Sequence, residues 1–276
     1  MLLKGSTLAK NIKDTAKAKV ESLEKKPVVA VIQVGDDESA KVYTKSMKKL
    51  TDYVGMKLLD YPLKEDIPKE ELLDLIDALN KNDEITGIFL HMPLPSNFNK
   101  NEIISKIDPI KDIDCITPHN IGLLSIDSGV VFPCTPYSCV EILKYNNIEI
   151  AGKECVILGR SIIVGKPLAT MLLKENATVT ICHSKTKDLK EVTKRADILL
   201  CAIGKANFVT EDMVKDGAVV VDVGINVLED GSLAGDVDNT VEKIASCMTP
   251  VPGGVGPVTV AIMVKNILSL YDLQNS

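Results

Sequence analysis

Short apolar, β-branched segments alternate with longer helical patterns along this chain, and this alternation limits its fold more than any other feature. The apolar segments are residues 27–34, 56–63, 85–92, 154–159, 177–183, 196–204 and 218–224. Strands that are apolar on both faces and joined through helices are typical of parallel sheets covered by helices. The pattern therefore predicts an α/β protein.

The apolar segments form two sets, separated near the prolines of FPCTP (132–136). A chain of 276 residues with 45% hydrophobic content is long enough for two α/β lobes, each with its own core. We expect one domain over residues 1–120 and a second over 121–255. The apolar C-terminal helix, 256–276, is expected to pack back on the first domain.

The charge and hydropathy of the chain exclude several classes of partner. A formal net charge of −6 argues against a protein that binds the phosphate backbone of nucleic acids. No apolar segment approaches the roughly 20 residues of a membrane span, and the start MLLKGSTLAK lacks the order of a signal peptide. We therefore expect a cytoplasmic protein that binds small molecules and neither nucleic acid nor membrane.

Cysteine and histidine content gives no indication of a metal site. The seven cysteines are an odd number without a CxxC pair, and several fall in apolar segments, which predicts buried free thiols. His91, His119 and His183 lack the local spacing of metal ligands. No metal is predicted.

The sequence VILGRSIIVGKPLATMLL predicts a strand that ends at Gly159 and a helix that begins near Gly165. Backbone amides at the start of such a helix can bind a phosphate, which is the basis of dinucleotide binding at a β–α turn. The loop is neither a regular GxGxxG motif nor a P-loop. The alternative for this loop is a tight turn that needs glycine.

The end of the next predicted strand bears on the choice of cofactor. NAD-specific sites usually carry an acidic residue there, but this strand is followed by His183, Ser184 and Lys185. Together with Arg160, a hydroxyl and an amine suit the 2′-phosphate of NADP, so we expect NADP rather than NAD. The alternative for this segment is a solvated loop without a role in binding. Among its residues, Lys185 is the one to which this alternative applies most strongly.

Motifs along nearly the whole length carry a resemblance to a known family. In chain order they are GDDESAKVYTKS, PLP, KDID, PCTP, GRSIIVGKP, CHSKT, VDVGIN, GDV and TPVPGGVGPVTVAIM. In this order they resemble the methylenetetrahydrofolate dehydrogenase/methenyltetrahydrofolate cyclohydrolase family. The resemblance implies a Rossmann-type C-terminal domain, a cleft between the two lobes, and a homodimer formed through the NADP-binding lobe.

The resemblance also implies the reactions and the residues that serve them. Hydride transfer from 5,10-methylenetetrahydrofolate to NADP gives the methenyl compound, which water converts to 10-formyltetrahydrofolate in one-carbon metabolism. Tyr43 is expected to stack on the folate and Asp114 of KDID to bind the pterin. The remaining implied residues are Pro252, Gly253 and Gly254 for the substrate, and Gly159, Arg160, Ser161, Gly165, Ser184 and Ile225 for the cofactor.

The family pattern Tyr-x-x-x-Lys places a lysine one helical turn after the tyrosine, but this sequence has Met47 at that position. The family lysine transfers protons during hydrolysis, which a thioether cannot do. A second departure is His91, which stands at the position of a glutamine before the PLP motif. We expect the dehydrogenase activity to be retained and the cyclohydrolase activity to be weak or absent.

Two alternatives stay open. In the first, the enzyme is fully bifunctional and uses His91 or a neighbouring lysine, Lys45 or Lys48, in place of the missing one. In the second, the chain is a folate- or nucleotide-binding paralogue without turnover. The complete cofactor motifs argue against the second alternative.

Overall fold

The computed structural model describes residues 1–276, and the chain forms an α/β structure. The helices are α1 (Ser6–Ser22), α2 (Glu38–Val54), α3 (Lys69–Lys81), α4 (Lys100–Ile104), α5 (Pro118–Ser125), α6 (Cys134–Tyr145), α7 (Gly165–Lys174), α8 (Leu189–Thr193) and α9 (Val255–Gln274). The strands are β1 (Val28–Val34), β2 (Lys57–Leu63), β3 (Gly87–Leu90), β4 (Glu154–Leu158), β5 (Thr178–Cys182), β6 (Ile198–Cys201), β7 (Val219–Asp222), β8 (Asn226–Val227), β9 (Leu233–Ala234) and β10 (Cys247–Met248). None of the helices is long and apolar enough to cross a bilayer.

The chain divides into two compact units. The first unit comprises residues 10–132 and 260–276, and the second comprises residues 1–9 and 133–259. The first stretch of the first unit therefore ends at Phe132, whereas the sequence placed the domain boundary near residue 120. The first nine residues lie in the second unit because Leu3 donates its backbone N–H to the carbonyl of Met248.

The first unit contains a three-stranded parallel sheet in the order β2-β1-β3. Apolar side chains of α3, among them Leu72 and Ile76, pack with Ile32 and Ile88 in one buried cluster. Residues 260–274 of α9 belong to this unit. There the Asn266 side chain donates to the carbonyls of Ile113 and Phe132, and Gln274 donates to those of Thr86 and Ile110, all within the first unit.

The second unit contains a five-stranded parallel sheet in the order β10-β7-β6-β4-β5. The chain leaves β4 toward β5 on one side and then returns to β6 on the other side. In open parallel sheets, ligands bind at the carboxyl ends of the strands where the strand order reverses in this way. In this sheet the strand order reverses between β4 and β6, and the predicted glycine loop begins at the end of β4.

Helix α2 is amphipathic, and its ends are fixed by its sequence. The Asp37 side chain accepts the backbone N–H of Ala40 at the start, and Gly55 adopts φ +86° at the end, a conformation that glycine reaches without strain. One face of the helix enters the core of the first unit, and its buried residues are Thr44, Met47, Leu50, Thr51 and Val54. The position of the family lysine thus lies on the buried face.

Candidate functional site

The loop after β4 needs glycine at two positions for steric reasons. Gly159 has φ +123°, and a Cβ atom there would lie 2.3 Å from the carbonyl oxygen of Ala202 at the end of β6. A Cβ atom on Gly165, the first residue of α7, would lie 2.1 Å from the carbonyl oxygen of Gly159. The backbone is therefore tightly folded at the switch point of the sheet, as required for backbone amides to approach a phosphate closely.

Ser161 organises the same loop with its side chain. Its hydroxyl oxygen accepts the backbone N–H groups of Val164 at 3.0 Å and Gly165 at 3.4 Å, directly before α7. Its carbonyl oxygen accepts the N–H of Lys166. The side chain of Arg160 is exposed to solvent beside this turn. The Ser161 side chain thus holds the backbone at the start of α7, and the Arg160 side chain is accessible to solvent.

The turn after β5 brings the predicted 2′-phosphate residues to the neighbouring strand end. Leu158 and Cys182 are register partners at the ends of β4 and β5, and Gly159 donates its N–H to the Cys182 carbonyl at 2.9 Å. His183 Nδ1 accepts the backbone N–H of Lys185, which fixes the turn and leaves Ser184 exposed at its tip. Arg160 and Ser184 therefore follow adjacent parallel strands at one edge of the sheet.

Two buried aspartates, which sequence reasoning did not assign, lie beneath the loops after β6 and β7. Asp222 at the end of β7 is 2% exposed and Asp236 is fully buried. The Asp222 carboxylate accepts the N–H of Gly224, and the Asp236 carboxylate accepts the N–H of Ile203 and the side-chain amide of Asn226. Ile225, between Gly224 and Asn226, is exposed. Asp222 lies in the motif VDVGIN and Asp236 in the motif GDV. A carboxylate that binds distant backbone amides leaves no periodic pattern in a sequence, so this role could not be predicted from the sequence.

The predicted substrate loop 250–254 belongs to the second unit. Gly253 has φ +105°, and a Cβ atom on Gly254 would lie 2.6 Å from the carbonyl oxygen of Pro250. The N-terminal segment fixes this loop, because Gly5 donates its N–H to the Gly253 carbonyl at 2.9 Å. The compact backbone explains why two glycines follow Pro252.

In the first unit, α2 and the end of β3 form an aromatic cluster. The rings of Tyr43 and Phe89 are stacked with centroids 5.7 Å apart, and His91 meets both rings edge-on. The hydroxyl of Thr44 is 2.8 Å from Nε2 of His91 in a buried hydrogen bond. The structure thus brings Tyr43 and His91 together, and Thr44 joins them because it shares the buried face of α2.

His91 is a poor proton carrier at neutral pH. Burial lowers its pKa to about 4, and the nearby charge of Asp37 opposes this shift only in part. The imidazole is therefore uncharged, and one of its nitrogens is already engaged by Thr44. A base of such low pKa takes up protons inefficiently at pH 7.

Met47 is fully buried on α2. The lysines nearest to it along the helix point elsewhere, since Lys45 and Lys48 are exposed and Lys48 pairs with Asp52 one turn further on. Within the first unit, no lysine of α2 therefore occupies the buried face at the position that Met47 fills.

The KDID turn presents Asp114 on a rigid backbone. The carboxylate of Asp112, only 1% exposed, accepts the N–H groups of Ile116 and Thr117 and the side-chain amide of Asn120. Asp114 is half-buried within this turn. The first aspartate of the motif is thus a structural residue that sequence reasoning missed.

All seven cysteines are free and buried, which confirms the prediction of buried thiols. Burial raises the pKa of both Cys139 and Cys155 to about 12. These thiols are therefore uncharged at neutral pH and act as apolar core residues.

Comparison with known families matches both parts of the chain. Residues 3–114 match the tetrahydrofolate dehydrogenase/cyclohydrolase catalytic domain, and residues 133–275 match the NAD(P)-binding domain of the same family. The chain belongs to the tetrahydrofolate dehydrogenase/cyclohydrolase family. The prediction of the family, and with it the prediction of a dinucleotide-binding C-terminal lobe, is confirmed.

Relatives of this family member cover almost its whole length. "Bifunctional protein FolD" of Lachnoclostridium phytofermentans is 51% identical over 271 residues, with 96% of each chain covered. The protein of the same name from Acetivibrio thermocellus is 47% identical and covers 99% of this chain and 97% of its own.

Solved structures of the family have the same fold. The bifunctional FolD dehydrogenase/cyclohydrolase of Campylobacter jejuni is 44% identical, with a TM-score of 0.95 and 99% of each chain covered. The FolD of Trypanosoma brucei, solved in complex with NADP and an inhibitor, is 34% identical with a TM-score of 0.94, and covers 99% of this chain and 97% of its own. The predicted α/β fold with a Rossmann-type second lobe is therefore confirmed.

Proposed function

We propose that this family member is an NADP-dependent methylenetetrahydrofolate dehydrogenase. The observation that carries the proposal is the glycine loop at the switch point of the second unit, where a Cβ atom at Gly159 or Gly165 would collide with backbone oxygens. A cradle of this kind fits a dinucleotide, and the relative from Trypanosoma brucei was solved with NADP. When bound, NADP⁺ supplies the acceptor for the hydride.

The residues of the second unit position the cofactor in this proposal. The amides of the loop between Gly159 and Gly165 bind the pyrophosphate, and Ser161 keeps the start of α7 in place. Arg160 and Ser184 supply charge and a hydroxyl for the 2′-phosphate, which favours NADP over NAD. Ile225, exposed after β7, contributes apolar contact to the cofactor.

The residues proposed to bind the folate are Tyr43, Asp114, Pro252, Gly253 and Gly254. Tyr43 stacks along the substrate from its position on α2, where Phe89 supports its ring from behind. Asp114 binds the pterin ring, and its turn is held by Asp112. Pro252, Gly253 and Gly254 of the substrate loop contact the substrate and the nicotinamide. The chain itself performs little covalent chemistry in the hydride step, because its task is to hold two rings in a reactive geometry.

For the hydrolytic step we propose a rate well below that of an enzyme with lysine at position 47. Met47 has no proton to exchange, and the exposed Lys45 and Lys48 lie on other faces of α2. Loss of a general acid or base typically costs about 10²–10⁴-fold in rate. The dehydrogenase step needs no such group, so the two activities separate in this chain.

A fully bifunctional enzyme is the alternative, and the comparisons favour it. Two relatives that are 51% and 47% identical to this chain are both named as bifunctional proteins. Under this alternative His91 is the group that moves the proton, and its contact with Thr44 orients the ring. The low pKa that burial gives to His91 argues against a large contribution at neutral pH.

One assay separates these possibilities. Purified protein is mixed with methylenetetrahydrofolate and NADP⁺ at neutral pH, and NADPH and the methenyl product are recorded together without acid treatment. We expect both to accumulate in equal amounts, with methenyl decay no faster than in buffer. Faster methenyl decay supports the bifunctional alternative, and absence of NADPH with either NADP⁺ or NAD⁺ contradicts the dehydrogenase proposal.

A paralogue that binds without turnover remains the second alternative from the sequence. It predicts that NADPH binds, as measured by its fluorescence, while no hydride transfer follows. We further propose a cytoplasmic homodimer formed through the second unit, as the family resemblance implies. Light scattering of the purified chain gives the mass that tests this assembly.

A further inference from the structure

The carboxylate of Asp236 binds three consecutive backbone amides of the loop after β6. Oδ2 accepts the N–H of Ile203 at 2.7 Å and of Gly204 at 3.1 Å, and Oδ1 accepts the N–H of Lys205 at 2.8 Å. Oδ1 also accepts the side-chain amide of Asn226, the residue after Ile225, at 3.1 Å. One buried side chain therefore ties residues 203–205 to Asn226.

Asp222 completes the arrangement from the end of β7. Its carboxylate accepts the N–H groups of Gly224, Asp236 and Val237 at 2.9–3.0 Å. Its own backbone N–H donates to the hydroxyl of Thr249 at 2.8 Å, just before the substrate loop 250–254. Asp222 thus holds Asp236 in place and connects the cluster to the segment that carries Pro252.

Close packing leaves the two carboxylates no freedom to move. A Cβ atom on Gly235 would lie 1.8 Å from Oδ2 of Asp222, and one on Gly224 would lie 2.3 Å from Oδ1 of Asp236. No cation pairs with either aspartate, so their charge is compensated by backbone N–H groups and, for Asp236, also by the side-chain amide of Asn226. A carboxylate that accepts several backbone N–H groups is a strong acceptor, and removal of its charge leaves those buried groups unsatisfied.

We infer that Asp222 and Asp236 are positioning residues for the cofactor, holding residues 203–205 and 224–226 in the shape that accepts the dinucleotide. The first segment follows β6 and the second follows β7, at the carboxyl ends of the strands, where the glycine loop also lies. Ala202, the neighbour of Ile203, contacts Gly159. The inference rests on the proposed NADP-binding function. Neither aspartate touches reacting atoms, so their effect is on binding rather than on chemistry.

The test compares Asp236→Asn with Asp197→Asn in the full chain. Asp197 lies in the same unit, directly before β6 and therefore at the opposite end of the strands from the glycine loop. Its carboxylate accepts the N–H of Glu154 and pairs with Lys215. Asparagine keeps one acceptor and replaces the other with a donor, so at position 236 it meets backbone N–H groups with the wrong polarity. Both substitutions remove a carboxylate that accepts a backbone amide, and only one of them lies beneath the cofactor loops.

NADPH fluorescence titration of each variant is expected to show a Kd raised about tenfold or more for Asp236→Asn and unchanged for Asp197→Asn. At saturating NADP⁺, kcat of Asp236→Asn is expected to stay within about twofold of wild type, because the residue acts on binding alone. Equal Kd values for the two variants overturn the inference.

A milder variant covers the case in which Asp236→Asn does not fold. Asn226→Ala removes one of the four donors of Asp236 and leaves the three backbone N–H bonds in place. It is expected to raise the Kd for NADPH in the same direction by a smaller factor, and a Kd equal to that of wild type overturns the inference. If wild type itself does not bind NADPH, the proposed function fails instead.

Discussion

The glycine loop of the second unit and the aromatic cluster of the first unit both contain motifs of the same family. The loop depends on its backbone, whereas the cluster and the neighbouring Met47 depend on side chains. At Gly159 and Gly165 the backbone itself forms the site, and any larger residue collides with a carbonyl oxygen. On α2, Met47 fills a buried position with an apolar side chain of lysine-like length. A site built from backbone resists substitution, whereas a site built from one side chain can lose its chemistry while the fold is kept.

The largest effect is expected from Gly159→Ala. The added Cβ lies 2.3 Å from a backbone oxygen and φ is +123°, so the loop must move to accept it. We expect NADPH affinity to fall about 100-fold or more, equivalent to roughly 2.7 kcal/mol, as measured by fluorescence titration.

Gly152→Ala is the matched control for this variant. Gly152 also has a positive φ, +74°, but a Cβ atom there meets nothing within 4 Å. It is expected to lose about 1 kcal/mol of stability through backbone strain and to bind NADPH normally. If both variants lose affinity equally, the comparison between backbone-built and side-chain-built sites is wrong.

A smaller effect is expected in the pH dependence of stability. Burial lowers the pKa of His91 in the folded chain to about 4, from about 6.5 when unfolded, so the folded state binds fewer protons between these values. The stability linked to neutral His91 is therefore complete above pH 6.5 and is lost as the pH falls toward 4. The full loss is on the order of 3 to 4 kcal/mol, because one pKa unit corresponds to about 1.4 kcal/mol.

Urea unfolding of wild type and His91→Gln at pH 7 and pH 5 measures the part of the free energy of unfolding that depends on the protonation of His91. Glutamine keeps a hydrogen-bonding group for Thr44 but does not titrate, so the free energy of unfolding of wild type should fall more than that of the variant. Parallel pH dependences would mean that His91 is not held neutral, and the bifunctional alternative would then regain a proton carrier.

The smallest effect is expected from the double variant Lys45→Ala/Lys48→Ala. Both lysines are exposed, and the Lys48 pair with Asp52 is a surface ion pair of a kind worth about 0–1 kcal/mol. We expect methenyl hydrolysis and hydride transfer to change less than about twofold, measured by absorbance. A large loss of hydrolysis would show that a neighbouring lysine replaces the missing one.

The sequence predicted the regular elements of the fold well. The apolar segment 27–34 corresponds to β1, Val28–Val34, and the predicted helix near Gly165 begins at that residue. The apolar C-terminal helix expected over residues 256–276 is α9, Val255–Gln274, and Pro257 lies in its first turn, where proline is tolerated. Periodicity and glycine placement reflect local backbone requirements, which is why these predictions held.

Contacts between residues far apart in the sequence could not be predicted from periodicity and glycine placement. Thr44 and His91 are 47 positions apart, and their hydrogen bond depends on α2 packing beside β3. Asp222 and Asp236 bind backbone amides, whose positions depend on the fold and not on residue type. Position 47 could be read from the motif spacing, but its full burial required the structure.

The variant Met47→Lys tests most directly whether the side chain at position 47 limits hydrolysis. Methenyltetrahydrofolate decay is followed at neutral pH with wild type, Met47→Lys, Met47→Leu and buffer alone. We predict decay near the buffer rate for wild type and Met47→Leu, and at least about tenfold faster decay for Met47→Lys, within the 10²–10⁴-fold range of general acid–base catalysis. Wild-type decay far above the buffer rate that Met47→Lys does not exceed would contradict the claim and establish the bifunctional alternative.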